Sequence, residues 1–400
     1  MKTKLLAIAL FTLTLGAVVY YPQLSATTGV VKTPINHHIT AIKPTANKPR
    51  VDVVFVLDTT GSMSGLIQTA KDKISSIATT MASAQPTPEI RIGLVAYRDR
   101  GDQYVTRRVD LSADLDSVYA ALMDFQADGG GDSPESVNQA LFDAVHQMSW
   151  SQDSQAYQAI FLVGDAPPHM DYNEAQYPAI VTEALAKGIV INTIQCGEMP
   201  ATVAPWTQIA SLGHGNFFQV EQAGGAIAFT TPFDEKIAEL SARLDDTRLY
   251  YGTREEKARM KEKVAATDKL HASASVESRA RRGVFNAGAG GRANQLGENE
   301  LVSAFASGEI QLDEIEAEAL PEALQPMAPA EQTEYLAVLA LKRDELQQQI
   351  RDMSEDRDSY LAKKVEEAGG LEDSLDRQLY EAVKAQAEKA GLEYDDGPKY

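Results

Sequence analysis

Short apolar runs rich in β-branched residues recur between residues 51 and 220 and predict buried strands. The clearest is VDVVFVL, whose nearly continuous apolar character is typical of a strand covered on both faces. The predicted strands are Val51–Leu57, Ile90–Tyr97, Ala159–Val163, Gly188–Gln195 and the weaker Asn216–Val220. We expect Tyr104–Leu111 to be an antiparallel neighbour, because only the short polar turn Arg98–Gln103 separates it from the preceding strand.

Segments with helical spacing of apolar residues lie between these strands. They are Ser64–Ala82, Leu115–Phe125, Pro134–Gln147, Glu174–Lys187 and Pro205–Ser211. Strands that alternate with helices favour a parallel sheet with helices on both faces. The sequence therefore predicts an α/β fold with a doubly wound, mostly parallel sheet.

The strand pattern ends near residue 220, and the rest of the chain has helical character. Thr231 and Pro232 suit the start of a helix, with Ile237, Leu240 and Leu244 on one apolar face. We place the boundary of the sheet domain at residue 245, so that it spans 51–245. Residues 246–400 then form an acidic α-helical C-terminal region, with a Gly-rich flexible joint at 283–297.

A seam of residues at spacings of three and four predicts a helical hairpin or short coiled coil late in the chain. Arg343 and Arg357 fill two of its positions, which favours packing within a small domain over a long zipper. The apolar members of the seam are Leu336, Leu339, Leu346, Ile350, Met353 and Tyr360.

Length, charge and cysteine content narrow the function. A chain of 400 residues exceeds what one core usually organises, which favours two domains. With 37 Lys and Arg against 57 Asp and Glu, the net charge of -20 argues against a nucleic-acid partner. Cys196 is the one cysteine, so neither an internal disulfide nor a cysteine metal cluster can form. These counts are compatible with a metal site lined by oxygen atoms.

The N-terminus has the pattern of an export signal. Lys2 and Lys4 precede the apolar stretch Leu5–Tyr20, and the small residues Ser25 and Ala26 follow it. We interpret 1–26 as a signal peptide and 27–50 as a linker. The alternative is an uncleaved N-terminal membrane anchor. In both cases the chain is exported, to the periplasm or the outside of the cell.

Candidate chemistry follows the first predicted strand. Asp58, Thr60 and Ser62 are two residues apart, so one turn can direct three oxygen atoms at a common point. One carboxylate and two hydroxyls suit a hard divalent cation, Mg²⁺ or Ca²⁺. Ligands of open parallel sheets bind at the carboxyl ends of the strands, where this loop lies.

Two further loops bring carboxylates to the same edge of the predicted sheet. The glycine-rich loop GGGDSPE contains Asp132 and Glu135 and opens a helix. Asp165 lies at the end of the strand Ala159–Val163. We expect Asp132 to face the first loop. The predicted metal ligands are therefore Asp58, Thr60, Ser62, Asp132 and Asp165.

These three motifs, in this order, resemble the von Willebrand factor A (VWA) domain over about residues 50–245. The resemblance implies a Rossmann-like fold and a metal-ion-dependent adhesion site. It implies that Asp58, Thr60 and Ser62 bind Mg²⁺ or Ca²⁺, and that Asp165 binds it directly or through water. The family's second-loop threonine has no counterpart here; Asp132 is the replacement, and Glu135 is the alternate. In the family, an acidic residue of a protein partner often completes the metal shell.

The function we expect is an exported, non-enzymatic, metal-dependent protein-binding module for adhesion or scaffolding. Residues 246–400 contain one histidine and no cysteine, which leaves little catalytic chemistry there. Two alternatives stay open: a non-catalytic subunit that positions the substrate of an envelope enzyme complex, and a structural protein of envelope assembly. We interpret Asp99 and Asp102 as a solvated hairpin tip, with a Ca²⁺ site as the alternative, and His169 as a surface residue.

Overall fold

The computed structural model describes residues 48–131, 133–220, 229–288, 290–367 and 374–394. Its centre is a six-stranded sheet with the order β3-β2-β1-β4-β5-β6. The strands are β1 Arg50–Asp58, β2 Glu89–Tyr97, β3 Thr106–Ser112, β4 Tyr157–Gly164, β5 Ile189–Cys196 and β6 His214–Val220. All neighbours pair in parallel except β2 and β3, which are antiparallel. The predicted doubly wound α/β sheet with its antiparallel edge strand is confirmed.

Helices cover both faces of the sheet, and the side chains of β1 alternate between them. Phe55 and Leu57 face α1 and α2, whereas Val54 and Val56 face α3, α4 and α5. These helices are α1 Ile67–Ala82, α2 Leu115–Asp124, α3 Val137–His146, α4 Tyr177–Ala186 and α5 Pro200–Leu212. Because both faces are buried, β1 has the continuous apolar run that marked it in the sequence.

The C-terminal region is helical, as predicted. Its helices are α6 Asp234–Asp245, α7 Arg254–Ser273, α8 Val276–Ala287, α9 Arg292–Leu296, α10 Leu301–Ser307, α11 Pro329–Glu367 and α12 Leu375–Ala387. Local chemistry sets several of their starts: Thr253 and Glu256 form a reciprocal capping box at α7, and Ser374 caps α12. The apolar face of α6 packs on α8 and α11.

Helix α12 returns to the sheet domain, which the sequence did not indicate. Leu379, Tyr380 and Val383 belong to the same apolar core as β1 and α1. Lys73 of α1 bonds to both carboxylate oxygens of Asp376 at 2.6 Å. The structural layer that covers this face of the sheet is thus completed by residues far beyond the last strand.

The expected flexible joint at 283–297 is helical over most of its described length, since it contains the end of α8 and all of α9. Gly283 serves close packing: a Cβ atom there would lie 2.8 Å from Cβ of Ser241 on α6. Gly283 therefore allows α8 to approach α6 closely. A flexible joint between the two parts of the chain stays a prediction.

The expected hairpin or coiled coil is corrected, because α11 is one 39-residue helix that packs on several short helices of the same chain. The two seam arginines explain the difference. Arg343 donates to Glu300 at 2.7 and 2.9 Å and to the Thr247 carbonyl at 2.8 Å. Arg357 donates to Asp234 at 2.7 Å. Buried ion pairs at seam positions suit fixed neighbours within one bundle.

A buried ionic cluster joins the C-terminal helices to the sheet domain. Arg282 of α8 donates two hydrogen bonds to Asp116 of α2, at 2.8 and 2.5 Å, and one to Asp245 of α6, at 2.7 Å. His271 of α7 lies 2.8 Å from Asp245, and Thr267 donates to Asp116 at 3.1 Å. Asp116 is fully buried. The two parts of the chain therefore share polar as well as apolar contacts.

Several predictions lie outside the described residues. They are the signal peptide 1–26, all of the linker 27–50 except its last three residues, and Asp132. Among the helices that the structure does describe, none combines the length and apolar character needed to span a bilayer.

Candidate metal centre

The first loop holds a chain of hydrogen bonds at the carboxyl end of β1. Asp58 is fully buried, and its Oδ1 accepts from the backbone N–H of Thr60 at 2.9 Å and from its hydroxyl at 2.7 Å. The Thr60 and Ser62 hydroxyl oxygens lie 3.0 Å apart. A short 3₁₀ turn at Gly61–Gly65 follows directly and fixes this spacing. Three of the predicted ligands are therefore neighbours.

Asp165 meets the first loop from the end of β4. The Ser62 hydroxyl donates to Asp165 Oδ1 at 3.0 Å, and Thr202 of α5 donates to the Asp165 carbonyl at 2.7 Å. Gly164, just before it, must lack a side chain. A Cβ atom there would lie 2.5 Å from the Tyr97 hydroxyl and 2.9 Å from Asp58 Oδ2. Strand β4 thus brings the predicted ligand Asp165 against Ser62 and leaves space for Asp58.

The glycine-rich loop docks on the first loop. The Gly61 N–H donates to the Gly129 carbonyl at 3.0 Å. Gly129 and Gly130 have positive φ angles of 73° and 69°, which favour glycine. Asp102 of the β2–β3 turn accepts from the Gly130 N–H at 2.9 Å. Asp102 therefore braces this loop and is not simply part of a solvated hairpin tip.

Glu135, the alternate for Asp132, lies in the site. Its N–H donates to the Pro167 carbonyl at 2.9 Å, next to the Asp165 loop, and its side chain is buried. Glu135 Oε2 has no hydrogen-bond partner, and Oε1 lies 3.1 Å from the position of a Cβ atom on Gly130. The carboxylate is thus in contact with the glycine-rich loop. Whether Asp132 or Glu135 replaces the threonine stays a prediction.

Several carboxylates crowd this edge of the sheet, and each disfavours the ionisation of the others. Burial, followed by the charge of Asp165, raises the pKa of Asp58 to about 7. Burial, followed by the charges of Asp58 and Asp99, raises the pKa of Glu135 to about 9. Burial also raises the pKa of Asp165 above its usual range. A positive charge at this point would relieve the cost of ionising all three groups.

The residues present fit a hard divalent cation. Asp58 Oδ2 is buried and has no hydrogen-bond partner, and the neighbouring donors are carboxylate and hydroxyl oxygens. Within the described residues, no group of three or more His, Cys, Asp or Glu side chains has an arrangement that could hold a metal ion. The candidate set differs from such groups because hydroxyls supply part of it.

A second polar cluster, formed by Asp99 and its neighbours, connects the β2–β3 turn to the loops that carry Glu135 and Asp165. The sequence analysis did not predict it. Asp99 is buried and accepts from Ser136 at 2.8 Å and from Tyr172 at 2.9 Å. His169 is also buried: it stacks on Tyr172 and lies 3.4 Å from Asp99. The signal available was topological, because the β2–β3 turn begins at the same sheet edge as the candidate ligands.

The fold and the loop geometry define an open α/β domain with an oxygen-lined site at the carboxyl ends of its strands. Residues 52–231 match the family model described as the von Willebrand factor A domain, and this part of the chain is a VWA domain.

A curated relative is named "Putative ariadne-like RING finger protein R811" of Acanthamoeba polyphaga mimivirus. It is 27% identical over 130 residues, which is 32% of this chain and 12% of the relative. The chain therefore covers a small fraction of that relative's length.

Two solved structures are similar. Proximal thread matrix protein 1 from the mussel byssus is 14% identical, over 44% of this chain and 43% of that one, with a TM-score of 0.34. Another structure of that protein is described as having a zinc occupied MIDAS motif. The SpRpn10 VWA domain is 15% identical, over 44% of this chain and 89% of that one, with a TM-score of 0.34.

Proposed function

We propose that the chain is an exported, non-enzymatic protein-binding module that recognises its partner through a divalent cation, Mg²⁺ or Ca²⁺. One observation carries the proposal: the buried Asp58 carboxylate keeps an unpartnered oxygen beside the Ser62–Asp165 hydrogen bond. A buried carboxylate oxygen without a donor is costly unless a cation or donor satisfies it. Asp58, Ser62 and Asp165 would hold the cation, with Thr60 and either Asp132 or Glu135 contributing.

When bound, the cation supplies positive charge and open coordination positions for an oxygen ligand of the partner. The protein's own residues fix the place of that contact. Asp102 and the glycine-rich loop form one side of it, and the loop after Asp165 forms the other. A carboxylate on the partner suits the cation, and its approach depends on the cation because the surrounding carboxylates would otherwise repel it.

The first test measures thermal unfolding of the full chain with Mg²⁺ or Ca²⁺ and with chelator. Binding to the folded state stabilises it by about 2.7 kcal/mol at a metal concentration one hundred times Kd. We expect Asp58→Asn to lose this stabilisation, because one charged oxygen ligand is removed. Asp128→Asn is the matched control: its 80% exposed side chain directly precedes the glycine-rich loop, and an asparagine oxygen can still accept the hydrogen bond from the Gly129 N–H. Equal metal shifts in wild type and Asp58→Asn would refute the site.

The second test addresses the partner. Affinity capture from envelope extract should retain a protein in the presence of Mg²⁺ or Ca²⁺ and release it with chelator. Asp58→Asn should fail to capture the same protein, and Asp128→Asn should capture it normally. A partner that survives both chelator and Asp58→Asn would favour the structural alternative, in which the protein serves envelope assembly without the metal site.

A further inference from the structure

Tyr97 lies in one row with Asp58 across the middle of the sheet. It is the last residue of β2 and pairs with Asp58, the last residue of β1, while Gly164 ends β4 on the other side of β1. Val56 and Leu162, two residues before Asp58 and Gly164, share one apolar cluster with Tyr97. Because side chains alternate along a strand, Tyr97, Asp58 and Gly164 all face the same side of the sheet.

The missing side chain of Gly164 lets the Tyr97 ring extend across β1. A Cβ atom on Gly164 would lie 2.5 Å from the Tyr97 hydroxyl oxygen and 2.9 Å from Asp58 Oδ2. The separation of these two oxygens therefore cannot exceed the sum of the two distances, about 5.4 Å. A small rotation of the side chains, or one bridging water molecule, joins polar atoms at such a separation.

Both oxygens are buried without a partner. Tyr97 and Asp58 are fully buried, and neither the Tyr97 hydroxyl nor Asp58 Oδ2 has a hydrogen-bond partner among the residues that the structure describes. Burial, followed by the charges of Asp58, Asp165 and Glu135, raises the pKa of Tyr97, so the phenol keeps its proton. A buried donor and a buried acceptor that face each other are each costly while unpaired.

We propose that the Tyr97 hydroxyl orients Asp58 for cation binding by donating to Oδ2, directly or through one water molecule. Tyr97 is then a positioning residue and not a ligand, and the inference rests on the metal centre proposed above. Asp58 Oδ1 already accepts from the Thr60 N–H and hydroxyl, which leaves Oδ2 for the phenol and the cation. A carboxylate oxygen has two lone pairs and can accept both.

The test compares Tyr97→Phe with the wild type, using calorimetric titration of the full chain with Mg²⁺ and with Ca²⁺ and thermal unfolding without metal. Phenylalanine keeps the ring and removes the hydroxyl. Cation affinity should fall on the order of tenfold, since hydrogen bonds to a metal ligand fix its orientation and their loss costs about 10–100-fold. The metal-free unfolding temperature should not fall, because the removed hydroxyl has no partner in the folded chain.

Tyr157→Phe is the matched control. Tyr157 is also a buried tyrosine of the sheet, but it pairs with Val51, at the opposite end of β1 from Asp58. Its hydroxyl donates to Gln386 at 2.7 Å. Tyr157→Phe should therefore lower the metal-free unfolding temperature and leave the cation affinity unchanged, which is the reverse of the result expected for Tyr97→Phe.

The outcomes separate this inference from the metal centre itself. Wild-type cation affinity in Tyr97→Phe, together with lost binding in Asp58→Asn, would overturn the role of Tyr97 alone. Unchanged binding in Asp58→Asn as well would overturn both proposals. A lower metal-free unfolding temperature in Tyr97→Phe with unchanged affinity would assign the hydroxyl to packing, as in Tyr157, and would also overturn the inference.

Discussion

At the scale of single residues, the candidate site is a cluster of buried carboxylates that have no cation beside them. Asp58 and Glu135 are buried with one unpartnered oxygen each, and their pKa values are raised to about 7 and about 9. The spacing of Asp58, Thr60 and Ser62 is visible in the sequence because one loop carries all three. Glu135 and Asp102 could not be placed in that way, since their positions depend on how separate loops dock.

Glu135 gives a prediction at this scale. In Glu135→Gln, the metal-free protein should unfold at a higher temperature. Burial raises the pKa of Glu135 to about 9, so at pH 8 the folded chain must bind a proton that the unfolded chain does not bind, and a neutral Gln avoids this cost. Its metal affinity should fall on the order of tenfold, since affinity depends on the charge of the ligands. Thermal unfolding and metal titration at pH 8 measure both effects, with Asp128→Asn as control. Unchanged metal affinity would exclude Glu135 as a ligand and leave Asp132.

At the scale of elements, the strands were predictable and the docking of the helices was not. The buried runs at β1 and β4 carry their own signal, because both faces of each strand are covered and nearly every residue is apolar. Helix α12 carries only an ordinary amphipathic pattern. Nothing in that pattern says whether its apolar face covers another helix or the sheet. Arg343 and Arg357 likewise look like interruptions until Glu300 and Asp234 are seen beside them.

Helix α12 gives the prediction for this scale. Leu379 is 3% exposed in the core shared with the sheet, so Leu379→Ala should lower the free energy of unfolding by about 2–5 kcal/mol. Glu381→Ala on the same helix should change it by less than about 1 kcal/mol, because its ion pair with Arg377 is exposed. Denaturant unfolding followed by circular dichroism measures both. Similar small effects would show that α12 contributes little to the sheet domain.

At the scale of the whole molecule, one ionic cluster links both parts of the chain. Burial raises the pKa values of Asp116 and Asp245. The charge of Arg282, with smaller contributions from other nearby charges and hydrogen bonds, outweighs burial and holds both pKa values below their usual range. This cluster could not be anticipated, because 166 residues separate Asp116 from Arg282 and neither lies in a recognisable motif. The chain has a net charge of -20, yet local pairs of opposite charge hold these helices to the sheet domain.

Arg282→Met tests the cluster. The variant should lose about 3–5 kcal/mol of unfolding free energy at pH 7, because it leaves buried carboxylates without their cation. A carboxylate with a lowered pKa stabilises the fold above its unfolded pKa, near 3.9, and loses that effect as pH falls towards the folded value. Without Arg282, burial raises the pKa values of Asp116 and Asp245 in the variant, and protonation then relieves their unpaired charge. The difference from wild type should therefore be smaller at pH 3 than at pH 7. Arg243→Met is the control, because it removes an exposed ion pair with Glu239 on α6.

A difference that stays constant from pH 7 to pH 3 would contradict the assignment of ionic stabilisation to Asp116 and Asp245. A loss no larger than that of Arg243→Met would contradict the cluster as a whole. In either case the two parts of the chain would be joined mainly by apolar contacts, such as those of α12 on the sheet.

The position of α12 also determines when the sheet domain can be completed. Lys73 and Asp376 meet across 303 residues of sequence, so the helical layer on this face of the sheet stays incomplete until the last helices have been synthesised. Contacts between such distant residues form slowly, and apolar surface exposed meanwhile favours aggregation. Folding of this VWA domain is therefore a late event in the life of the nascent chain. A chaperone that binds the apolar surface beside α1 until α12 is made would therefore aid the folding of this protein. It would matter less for a sheet domain that is covered by helices close to it in sequence.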